Sequence, residues 1–108
     1  MPGNRHQEIE DRSLRLHVAI ADALASNPER VLEIARGNLS RWLRSNPGSL
    51  AYRRWSEILG KWSVGRIAAL LCSTSVEAVQ LRQSSPFCGV LPEGRRLELM
   101  GLHDARRA

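Results

Sequence analysis

Apolar residues recur along this chain at intervals of three and four, the period of an amphipathic helix, and no stretch alternates long enough to make a strand. The first periodic segment spans about 6–26. Ile9, Leu16, Ile20 and Ala23 share one face, with Leu14, Val18, Ala21 and Ala25 beside it. Glu8, Glu10 and Asp11 stand near its start, where negative charge suits the helix dipole. Asn27-Pro28-Glu29 then marks a boundary, with Asn27 a cap and Pro28 in the next first turn. The second helix carries Val31, Leu32, Ala35, Leu39, Trp42 and Leu43 on one side and ends near Ser45, before Asn46-Pro47-Gly48. Gly37 and Asn38 weaken its middle, where a kink is the expectation.

Ser49 opens a third helix with Tyr52, Trp55, Ile58, Leu59 and Trp62 inward and Gly60 as its stop. Ser63 caps a fourth, carrying Val64, Ile67, Ala68 and Leu71. Thr74-Ser75-Val76-Glu77 reads as a capping box, the Thr74 hydroxyl accepting from an early N–H and Glu77 reaching back, with Val76, Ala78 and Val79 inward. This fifth helix fades by Ser84, ahead of Pro86. A last short helix is expected over about 92–102, with Leu97, Leu99 and Met100 inward. The pattern predicts an all-α, compact bundle of five to six short helices, a single domain over 1–108 whose ends, about 1–5 and 104–108, fray.

Charge sharpens the picture. The chain has 16 basic and 11 acidic residues, a net charge of +5, and only one of the basic residues, Lys61, is a lysine. A basic domain suits nucleic acid or an acidic protein partner. No apolar run is long enough for a membrane span, and the first residues lack a signal-peptide core, so a cytoplasmic protein is expected. Cys72 and Cys88 form no CxxC pair; both are expected to be free thiols, with Cys72 buried.

Two segments carry the candidate chemistry. Over about 63–84, two short helices flank a turn, Cys72-Ser73-Thr74, in the outline of a helix-turn-helix. Small Ala68 and Ala78 allow close approach, and Leu81 seats the second helix on the first. Thr74, Ser75, Glu77, Gln80 and Gln83 then face outward, flanked by Arg66 and Arg82. Arg66, Thr74, Ser75, Gln80, Arg82 and Gln83 are the candidate DNA-contacting residues, since hydroxyl, amide and guanidinium groups at a helix N-terminus reach phosphates and base edges. Plain packing of two helices is the alternative.

The exit segment, Ser84 to Pro92, has no regular period. Pro86, Phe87, Val90, Leu91, Arg95 and Arg96 are the candidate partner-binding residues: Phe87 as an anchor docked into a partner's cleft, the arginines as orienting charges. The alternative is a loop that folds back to close the core.

Catalytic patterns are missing from the sequence. His6, His17 and His103 are scattered, and there is no Cys–His pair, HExxH or Gly-rich phosphate loop. No catalytic residue, metal site or cofactor is expected, and the chain is expected not to be an enzyme.

Three stretches, Arg12–Leu24, Leu39–Ser45 and Leu81–Arg96 (LRQSSPFCGVLPEGRR), resemble a family of small all-helical bacterial antitoxin-like proteins of type II toxin–antitoxin operons. Gly94 departs from the strong helix former expected there. The resemblance implies a protein that neutralises a cognate toxin by direct protein–protein binding and autoregulates its operon through operator DNA. A stand-alone helix-turn-helix transcriptional regulator is the first alternative, and a helical scaffold subunit with no DNA role the second. The broad stripe of the first helix further predicts a homodimer or heteromer, with Leu14, Val18 and Ala25 near the contact.

Overall fold

The computed structural model describes residues 4–101. Within them the chain forms six helices: α1 (Asn4–Ser26), α2 (Pro28–Ser45), α3 (Leu50–Lys61), α4 (Val64–Cys72), α5 (Val76–Arg82) and α6 (Glu93–Leu99). No strand occurs among the described residues. The expected fraying of residues 1–3 and 104–108, and His103, lie outside them; Asn4 and Arg5 belong to α1.

Local chemistry sets the helix ends. Asn27 Oδ1 accepts from the Arg30 amide at 3.4 Å, and Pro28 supplies a first-turn residue that needs no donor. Ser49, Ser63 and Ser75 each accept from the amide three residues on, opening α3, α4 and α5. The capping box expected at Thr74 does not form. Ser75 is the cap, and Glu77 turns away to Arg54 of α3 at 3.3 Å. Because α1 starts at Asn4, its acidic residues fall beyond the first turn, so the dipole is not what places them. Gly60 sits inside α3, whose cap is Trp62, and α2 runs unbroken through Gly37 and Asn38.

α1 is the organising strut. His17, Ile20, Ala21 and Leu24 form one buried stripe at helical spacing. α1 packs most extensively on α4, and also on α2, α5 and α6, while α2 pairs with α3. Val31, Ala35 and Leu39 of α2, Trp55, Ile58 and Leu59 of α3, and Ile67 and Leu71 of α4 complete the core. Trp55 is fully buried, whereas Trp42 and Trp62 are only half-buried at the edge. Val76 departs from expectation: it is 76% exposed, because Ala78 and Leu81 define the inner face of α5. Cys72 is exposed rather than buried, since it closes α4 one residue past the inward Leu71. Its partial desolvation, with Asp22 nearby, still pushes the thiol pKa up. No single helix among the described residues is long and apolar enough to cross a membrane.

Candidate functional site

Two surfaces bear on function, and both meet at α5. The first is the α4–α5 pair. The helices are joined by a three-residue turn, Ser73 to Ser75, and bent by 94° relative to one another, the crossing typical of a helix-turn-helix. Ala78 and Leu81 are buried against the body of the domain, which leaves Glu77, Gln80 and Gln83 as an outward stripe. Thr74, Ser75 and Arg66 are exposed as well. The Arg66 guanidinium lies 3.8 Å above the Trp62 ring, which orients it without consuming its donors. Arg54 approaches the same ring at 5.6 Å and holds Glu77, offsetting the one acidic residue on the outward stripe.

Arg82 is not part of that outward surface. It is buried, and its Nη1 donates to the carbonyls of Leu71 and Ser73, the last acceptors of α4 and its turn. Its position is geometric: Ala78, Leu81 and Arg82 follow the i, i+3, i+4 spacing of a buried face. The side chain capping the open carbonyls of α4 is thus supplied by α5, which locks the two helices together.

The exit segment is also corrected. Phe87 is 2% exposed, and Pro86 and Val90 are buried with it. The Phe87 ring meets Trp55 edge-on at 5.7 Å between centroids. Buried Asn38 holds the loop from below, donating Nδ2–H to the carbonyls of Pro86 (2.7 Å) and Cys88 (2.9 Å). Gly89, at φ +88°, makes the left-handed turn that returns Val90 to the core. Pro86, Phe87 and Val90 therefore close the domain's own core and cannot serve as an exposed anchor. Leu91 is half-buried against that core. Arg95 and Arg96 lie on α6, engaged locally with Glu98 and Glu93.

The second surface was not anticipated. A cavity of about 530 Å³ opens between α1, the exit segment and α6. Ile9, Leu16, Ile20, Phe87, Leu91 and Met100 make its apolar wall; Arg12, Ser13, His17, Arg82, Gln83, Ser85 and Arg96 supply polar groups. His17 Nδ1 donates to the Ser13 carbonyl at 2.7 Å, leaving Nε2 buried without a partner. Arg82 Nε is likewise buried without a hydrogen bond; Glu10 lies 3.7 Å away, beyond hydrogen-bond reach. Burial holds the His17 pKa below 6.5, the Ser13 carbonyl pulling it up and Arg82 pressing it down. His17 and Leu24 lie outside the inner stripe expected for the first helix, although their spacing from Ile20, three before and four after, is the helical signal that could have found them. No cluster of three metal-ligating side chains occurs among the described residues. Set against known protein families, curated proteins and solved structures, the chain matches none.

Proposed function

We propose that this chain is a DNA-binding module in which α5 enters the major groove and the surrounding basic groups hold the phosphates. The α4–α5 pair carries this proposal: a near-perpendicular crossing over a three-residue turn, with the inner face of α5 packed and Val76, Gln80 and Gln83 exposed on its outer side, where Glu77 is held by Arg54. Gln80 stands mid-stripe, where an amide suits adenine, and exposed Val76 suits a thymine methyl. Arg66, oriented on Trp62, is placed for a phosphate, and the net charge of +5 supplies the salt-dependent background attraction.

A gel-shift titration against fragments of the source genome, including the DNA upstream of the gene, tests this. Gln80→Ala should relax sequence preference at one position, costing about 1–3 kcal/mol for the preferred site. Arg66→Ala should weaken all sequences alike and lower the salt slope by about one. Failure to bind any fragment at low salt would remove the DNA role.

A seven-residue α5 presents few base-reading groups, so two half-sites read by paired copies would serve specificity better than one. The outward stripe of α1, with Val18 42% exposed, Ala25 exposed and Leu14 half-buried, is the surface available for that pairing. The same stripe favours a second reading, binding and neutralisation of a toxin protein, because the exit segment is spent on the core. Light scattering of the protein alone and with the product of the adjacent gene separates the two. A monomer in both cases sinks both uses of the stripe.

A further inference from the structure

Beyond DNA recognition, we propose that the cavity between α1, the exit segment and α6 is a binding site for a small organic carboxylate with an apolar body.

The cavity adjoins the DNA surface at Arg82 and Gln83, at the end of α5, and its other walls come from α1, the exit segment and α6. The volume, about 530 Å³, falls in the range of small-molecule sites, and its lining is mostly apolar with a few convergent polar groups. Two observations define what those polar groups want. Arg82 Nε–H is a charged donor, buried and without a hydrogen bond, its ion-pair partner Glu10 standing 3.7 Å off. Leaving such a donor unmet is costly. His17 Nε2 is the second buried, unpaired atom; with Nδ1–H committed to Ser13, it offers a lone pair. A carboxyl group answers both once the two side chains, which line the cavity, turn these covered atoms toward it. One oxygen accepts from Arg82 Nε–H, and the other shares a single proton with His17 Nε2. The lining holds three arginines, Arg12, Arg82 and Arg96; Glu10 and Glu93, outside the lining, offset two of them, and Arg12 leaves the field favouring an anion over a neutral polar ligand. Leu16, Leu91 and Met100 then enclose the apolar body.

The shared proton gives the site a signature. At neutral pH a free carboxylate is ionised and buried His17 is neutral, so binding must take one proton from solvent. The groups facing the same space are Arg12 and Ser13 of α1, Arg82 of α5, Cys88 of the exit segment and Arg96 of α6, with Glu10 behind Arg82. Of these, none has an ordinary pKa between 6.5 and 8.

Octanoate and octanol are the probes, read by displacement of 8-anilinonaphthalene-1-sulfonate fluorescence from the full chain and by thermal shift. Octanoate should displace the dye with one-to-one saturation, and octanol should bind at least tenfold more weakly. Octanoate affinity should fall several-fold for each pH unit between 6.5 and 8. Leu91→Trp, which fills the cavity from its half-buried rim, should abolish octanoate binding while keeping the helical circular dichroism; Met100→Trp does the same from α6 if the first variant is unstable. Octanol binding as tightly as octanoate, a pH-independent affinity, or a folded Leu91→Trp that still binds would each overturn the proposal. So would the absence of any octanoate-dependent signal from the unaltered protein, whatever the DNA assays give.

Discussion

Replacing Asn38 with alanine tests how the irregular exit segment is held. Its Nδ2 donates two hydrogen bonds, 2.7 Å to the Pro86 carbonyl and 2.9 Å to the Cys88 carbonyl. These join the middle of α2 to residues about 50 positions away. Each is worth about 1 kcal/mol net, and a buried carbonyl left without a donor costs about 1–3 kcal/mol. Pro86 is buried, so its carbonyl bears the full penalty, while Cys88 is exposed and water can replace the lost donor. The expected destabilisation is therefore about 2–3 kcal/mol. For a domain of this length that is a fall in Tm of roughly 10 °C, at about 4 °C per kcal/mol. Thermal unfolding followed by circular dichroism at 222 nm measures it, with Asn46→Ala, an exposed side chain at the end of α2, as the control expected to change little. Asn38→Asp should also be less stable than the parent: it turns an oxygen toward the two carbonyls, while its other oxygen keeps the Arg41 contact and offsets part of the loss. A Tm shift under about 2 °C for Asn38→Ala, or an aspartate variant as stable as the parent, would refute the account of how the loop is anchored.

Phe87→Ala should cost about 3–5 kcal/mol, since a fully packed ring against Trp55 is removed; a melt leaving Tm unchanged would restore the docking role for this segment. Arg82→Ala should lower Tm by freeing the Leu71 and Ser73 carbonyls, whereas Arg66→Ala should leave Tm in place and act only on DNA; parallel melts and gel shifts separate them. His17 is held neutral by burial, its folded pKa below its ordinary 6.5. The unfolded chain therefore binds a proton first as pH drops, so the His17 contribution is complete above 6.5 and is lost as pH falls from 6.5 through the folded pKa. The slope is at most about 1.4 kcal/mol per pH unit. Urea unfolding from pH 7.5 to 5.5 should show this slope in the parent and its reduction in His17→Gln.

The sequence alone determined the helices and most of their joints. Asn27-Pro28, Ser49 and Ser63 act within one turn of their own positions, so local chemistry suffices to place them. The inner faces of α2, α3 and α4 were legible because burial follows the helical period. The choice of cap among Ser73, Thr74 and Ser75 was not resolved locally, since all three are competent; Arg54 of α3, by taking Glu77, removes the partner a Thr74 capping box needs.

Tertiary structure decided the fate of the polar and irregular residues. Arg82 reads as a surface charge until the α4 carbonyls come within reach of it. Asn38 reads as a weak helix former until Pro86 and Cys88 arrive above it. Phe87 on a loop can serve either a partner or its own core, and the choice depends on whether Trp55 and Asn38 lie beneath it. The cavity exists only because α1, the end of α5, the exit segment and α6 converge, bringing His17 and Arg82 together across 65 positions of chain. Periodicity reports which side of a helix is buried; it carries no information about which distant group meets a buried polar atom, because that partner is set by the packing of the whole chain.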